Sequence, residues 1–234
     1  MASSQRWRQG LVWLHVVTSV GWMAQALVLF TLLSVSYRSA EAEVRVSATT
    51  MAHVVDTTLL APAANAAAFT GFVLAAATPW GFFRNWWVLV KFGITVVQLY
   101  AGIFILSKSL QASVVSAEAG HPTPPGLQLV GTGLMASAIA FQAWLSVAKP
   151  WRRTPWASTR KIPAASTRVF AAAVFAPLAD IALGLVLGVP APLFELIVLA
   201  VVLGLRPRRI AAQPRTAAVA SRSSEARSAV PERP

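Results

Sequence analysis

The sequence predicts an all-α fold, a polytopic transmembrane helical bundle with a four-span antiparallel core and a C-terminal helical hairpin. Three observations carry this reading. Of the 234 residues, 56% are hydrophobic and only 12% are charged, whereas a soluble domain carries about 25% charged residues. The apolar residues fall in runs long enough to cross a bilayer, which takes ~20 residues over a ~30 Å hydrocarbon core. The basic residues fall mainly between those runs and in the tail, as in a chain oriented by its positive loops.

The first span is read at residues 11–37. Arg6 and Arg8 precede it, and Ala40-Glu41-Ala42 resembles a small-residue cleavage site, but a signal h-region is only ~7–15 residues, so the run reads as a retained span. The second span, residues 49–77, is rich in alanine. Ala61, Ala63, Ala64, Ala66, Ala67, Ala68 and Gly71 form a surface that a neighbouring backbone can approach closely, and Pro62 is expected to kink it. Thr78-Pro79-Trp80-Gly81 ends this span. The third span, residues 86–106, opens with Trp86 and Trp87 at headgroup level. Residues 107–126 read as a polar loop that continues the helix for a turn or two before His-Pro-Thr-Pro-Pro at 121–125 breaks it. The fourth span covers 127–147, where Gly131-Thr132-Gly133 reads as a packing surface. A basic loop from Lys149 to Arg168 follows, then a fifth span at 169–189. The short apolar run 193–205 reads as a thin sixth span or a hairpin arm. Residues 1–152 thus form the four-span core, 153–209 the basic loop and hairpin, and 210–234 a disordered cytoplasmic tail with almost nothing to bury.

Orientation follows from the basic residues. With the N-terminus inside, sixteen Lys and Arg fall on cytoplasmic segments and three, Arg38, Arg45 and Lys108, on outer ones. This bias places both termini in the cytoplasm and makes the number of spans even. The net charge of +12 does not signal nucleic acid, because the basic loop at 149–168 and the tail are placed to meet anionic lipid headgroups. The absence of cysteine excludes disulfides, thiolate metal sites and covalent haem attachment.

Ionisable residues at membrane depth are the candidates for function, since each costs ~2.5–3.5 kcal/mol to insert. His15 and Lys91 lie equally deep, about five residues or ~7 Å past the inner ends of spans one and three. Lys91, Thr95, Gln98 and Gly102 share one face of span three, and His15, Thr18, Ser19, Trp22 and Gln25 make a similar stripe on span one. The two stripes suggest a shared inner-leaflet cavity built on His15 and Lys91, with Trp22, Thr95 and Gln98 along its wall. The alternative is that Lys91 snorkels to the inner headgroups and His15 bonds a backbone carbonyl. In the outer half, His53, Asp56 and Asp180, with Glu195 nearby, could relay protons or hold a cation. Against this, His53 and Asp56 could simply cap a helix end. No convergent metal site is visible, because His15, His53 and His121 are separated by depth or loop and Met1, Met23, Met51 and Met135 are scattered.

Short motifs add a resemblance. His15 followed by Gly21-Trp22 and Ala24, Pro62 and Gly71 in span two, and Trp87 four residues before Lys91 resemble the CopD-like and HemJ-like membrane superfamily. Thr-Pro-Trp-Gly at 78–81 and Lys-Pro-Trp at 149–151 resemble more closely an uncharacterised bacterial integral-membrane family within it. The resemblance covers about residues 9–152 and implies a core of four antiparallel spans. In HemJ-type protoporphyrinogen oxidases the first-span His and third-span Lys are required and haem is bound, so the resemblance implies those roles for His15 and Lys91. The C-terminal hairpin departs from that pattern. The expected function is therefore a membrane protein whose inner-leaflet cavity binds haem or another anionic ligand. The alternatives are a small proton-coupled transporter using Asp56 and Asp180, or a non-catalytic scaffold.

Overall fold

The computed structural model describes residues 2–119, 125–151, 153–157, 164–188 and 191–211, with side chains except at Ala2 and 208–211. His121, residues 189–190, much of the basic loop and the tail beyond 211 lie outside the described residues. Among those described, six helices form and no strand beyond one isolated bridge, Asn85 to Arg153. They are α1 (Ala2–Arg38), α2 (Ala42–Ala77), α3 (Trp86–Glu118), α4 (Gly126–Ala148), α5 (Thr167–Leu187) and α6 (Leu193–Ala211). The first five are long and apolar enough to cross a membrane. Glu195 and Arg206 bracket the apolar stretch of α6 too closely for it to join them.

Helix ends and interruptions follow local chemistry. α4 stops where Lys149 turns left-handed (φ 44°) ahead of Pro150, and α5 stops at Gly188, whose φ of 71° suits a residue without Cβ. The kink expected at Pro62 takes another form. A π-helical turn, Asp56–Leu60, immediately precedes it, and the Ala61 N–H reaches back to the Asp56 carbonyl. The extra residue in that wider turn makes room for the proline ring, and α2 runs on to Ala77. A matching π turn, Gly102–Leu106, interrupts α3. The polar segment after it stays helical to Glu118, well past the expected end of the span, because Leu110, Ser113, Val114 and Ala117 are buried on one face.

α2 is the central helix. In its most apolar window 56% of residues are buried, against 17–28% for the other four spanning helices, and its alanines let neighbours approach closely. The pairings set the topology. Ser36 meets Thr49 across the α1–α2 turn at 2.9 Å, and the Ala165 N–H donates to the Ala77 carbonyl at 2.8 Å. Along α3 and α4, contacts run from Lys91–Ser146 to Gln128–Ser113, as antiparallel helices require. The hairpin is part of the same core: Phe170, Ala173, Ala176 and Val202 share one buried cluster with Leu11, Phe69 and Val73. Gly131 allows the closest helix approach, since a Cβ there would collide with the Leu106 side chain.

Candidate functional site

A cavity of about 430 Å³ opens between α1, α2, α3 and α4, and both His15 and Lys91 line it. Its floor is aromatic. Phe92 packs edge-on against Phe72 (5.4 Å) and Phe82 (5.1 Å), and Trp80 packs against Trp87 (5.8 Å). Lys149 lines it too, its ammonium 6.0 Å from the centre of the Trp87 ring. Trp22 and Ile139, buried in one cluster with Met135, line it as well.

His15 is held from one side. Its Nδ1 lies 3.0 Å from the Ala67 carbonyl and 3.0 Å from Thr70 Oγ1. The Thr70 hydroxyl donates to the Ala66 carbonyl at 2.6 Å. A carbonyl can only accept, so Nδ1 carries the proton and donates. Nε2 is then left with its lone pair free. The ring also lies against bare backbone, because a Cβ at Gly71 would sit 3.0 Å from the His15 Cε1. Gly71 is thus needed for close approach rather than for an unusual backbone angle.

Lys91 has a hydroxyl partner and no counter-ion. Nζ donates to Ser146 Oγ at 2.6 Å, and no carboxylate pairs with it among the described residues. Ser146 passes its own proton to the Gln142 carbonyl at 2.9 Å. From there a polar ladder joins α3 to α4. Thr95 Oγ1 donates to Gln142 Oε1 at 2.9 Å, Gln142 Nε2 donates to Gln98 Oε1, and Gln98 Nε2 donates to the Met135 carbonyl at 3.1 Å. Lys91, Thr95 and Gln98 thus meet Ser146, Gln142 and Met135 rung by rung. The α3 stripe expected to line a cavity does so only at Lys91 and Thr95. Gln98 is a correction: it lies behind the wall, where its amide is spent on the ladder. On α1, His15, Ser19 and Trp22 line the cavity, while the Thr18 hydroxyl bonds back to the Leu14 carbonyl. Gln142 and Ser146 are the residues that sequence reasoning missed. Their signal was a polar pair four apart on span four, antiparallel to Lys91 and Thr95.

The outer-half candidates are not brought into this site. α2 begins at Ala42, so His53 and Asp56 lie well inside the helix and cap no end. Asp56 Oδ2, in the first π turn, accepts the hydroxyl of Ser107, which directly follows the second, at 2.6 Å, and His53 Nδ1 is buried with no partner among the described residues. Asp180 caps α6, accepting the backbone N–H groups of Phe194 (2.9 Å) and Glu195 (2.8 Å). Among the described residues, no group of three or more His, Asp or Glu could hold a metal ion. No protein-family model matches this chain, and neither does any curated protein or solved structure.

Proposed function

We propose that the protein binds an organic anion of amphiphilic character in the Lys91 cavity, with its acidic group on the Lys91 ammonium. One observation carries this reading: a lysine sits at membrane depth in an apolar cavity with only a hydroxyl for company. A buried ammonium without a counter-charge is costly, and a ligand carboxylate or phosphate would offset that cost. The volume lies in the range of small-molecule sites, and aromatic walls with a few convergent polar groups are what such sites are made of. Val16, Val20 and Val147 on the rim are 53%, 54% and 86% exposed on the apolar outer surface. The mouth therefore faces hydrocarbon, which suits a ligand arriving through the bilayer.

Haem is one anion whose needs the donor set fits. His15 Nε2 would hold the iron and Lys91 would hold a propionate, and no second histidine lines the cavity among the described residues. When bound, haem would supply one-electron chemistry, while the chain's own part is to fix the His15 tautomer and neutralise the acid. The transporter alternative drew on Asp56 and Asp180; Asp180 has both oxygens on backbone N–H groups, and Asp56 has Oδ2 on the Ser107 hydroxyl. We further propose that α6, although its apolar stretch is shorter than those of the other five helices, makes a sixth crossing and that both termini face the cytoplasm, on the basic-residue bias.

The test is direct. Full-length protein is purified in mild detergent from haem-replete cells, its absorbance recorded and its bound acids extracted for mass spectrometry. The expected result is a Soret band lost in His15→Ala, or a lipophilic acid retained by wild type and lost in Lys91→Met. Protein with neither, or with bound anion unchanged in both variants, overturns the reading.

A further inference from the structure

A second pocket, of about 200 Å³, lies in the other half of the bundle between α2, α5 and α6. On α2 its lining starts at Thr57, ten residues or ~15 Å along the helix from Ala67, the partner of His15. It sits where two helices carry a proline: Pro62 follows the π turn of α2, Pro177 lies inside α5, and both line the pocket. Each ring withholds a helix N–H from a carbonyl about one turn back. Glu195, in the first turn of α6, is 4% exposed and lines the same space. Its backbone N–H is taken by Asp180. Its carboxylate accepts no hydrogen bond and meets no cation among the described residues.

We propose that this pocket binds a monovalent cation on the Glu195 carboxylate. Most of the polar oxygens around it can accept. The Thr57 and Thr58 hydroxyls spend their protons on the carbonyls of His53 (3.0 Å) and Val54 (2.6 Å), leaving oxygen lone pairs. Asn65 lines the pocket with no side-chain partner among the described residues, and its amide oxygen can turn toward a cation. A pocket rich in acceptors with an unpaired carboxylate suits a hard cation and repels an anion. Asp180 already has both oxygens on backbone N–H groups, which leaves one free carboxylate and so favours a single positive charge. At ~30 Å³ per water, the space holds roughly seven waters, enough for a partly hydrated alkali ion. Asp180 is the one other ionisable residue in the lining; α2 contributes only Thr57, Thr58, Pro62 and Asn65. A proton on Glu195 therefore competes with the cation.

The experiment is thermal unfolding of the full-length protein in nanodiscs of neutral lipid. NaCl, KCl and CaCl2 are each titrated against choline chloride at matched ionic strength, at pH 8.5 and pH 5.5. The expected result is a saturable rise in Tm of about 2–5 °C with Na⁺ or K⁺ at pH 8.5. That rise shrinks at pH 5.5 and disappears in Glu195→Gln. Should Glu195→Gln fail to fold, Asn65→Leu takes its place and must weaken the response at least threefold in cation concentration. No saturable alkali-ion response, a response to Ca²⁺ alone, or one unchanged in the variant overturns the proposal.

Discussion

The Lys91 cavity and the Glu195 pocket place opposite charges in the two halves of one bundle, and each has a neighbour of the same depth that is fully engaged. At one end, Thr95, Gln98, Gln142 and Ser146 close a hydrogen-bonded ladder, and Lys91 is left with a lone hydroxyl. At the other, Asp180 takes two backbone N–H groups while Glu195, whose own N–H is one of them, has a bare carboxylate. The difference teaches how to sort ionisable residues inside a membrane protein. Depth alone does not distinguish Asp180 from Glu195. What distinguishes them is whether the rest of the fold has already used the group's bonding capacity.

The largest effect that would break this comparison is at the hairpin. Asp180→Ala uncovers two N–H groups at the start of α6 and should cost about 3 kcal/mol, while Glu195→Gln should cost nearly nothing. Denaturant or SDS titrations of the two variants measure this. Equal losses would mean that Glu195 is also structural. At the cavity, Gly71→Ala places a methyl where the His15 ring lies, 3.0 Å from Cε1. It should cost ~1–2 kcal/mol and weaken anion binding, because the ring must shift away from the Ala67 carbonyl. A crystal or cryo-EM structure with His15 unmoved would remove that link. The smallest effect is in the ladder. Gln98→Leu should cost about 1 kcal/mol, in the range of interhelical hydrogen bonds in membranes, and leave anion binding intact, since Gln98 does not line the cavity. A loss of binding there would move the wall of the site.

Most of the bundle was legible because membrane burial writes a coarse signal. Runs of apolar residues of the right length mark helices whatever their partners. His15 and Lys91 stand at one depth in the sequence, and both line one cavity. Gln98 was misread because period shows which face a residue is on, not which neighbour that face meets. The same stripe serves the cavity at Lys91 and a second helix at Gln98. The extension of α3 to Glu118 was hidden by Ser107, Lys108 and Ser109, which look like loop until α4 supplies Gln128 to bond Ser109 and Ser113. The π turn before Pro62 was invisible, since no local residue pattern separates it from a simple kink. The role of Asp180 depends on where the chain returns after Gly188, which spacing along the chain does not encode.

The central claim is that Lys91 is held without its counter-charge until an anion arrives. Its most direct test is the stability of Lys91→Met against wild type, each unfolded with and without added ligand, using protohaem or a long-chain fatty acid as the probe. Ser146 keeps its bond to the Gln142 carbonyl in the variant, so little else is disturbed. The account predicts that ligand-free Lys91→Met is as stable as wild type or more so, and that saturating ligand raises the Tm of wild type alone. A variant that is much less stable without ligand, or that gains as much from the ligand as wild type, would contradict it.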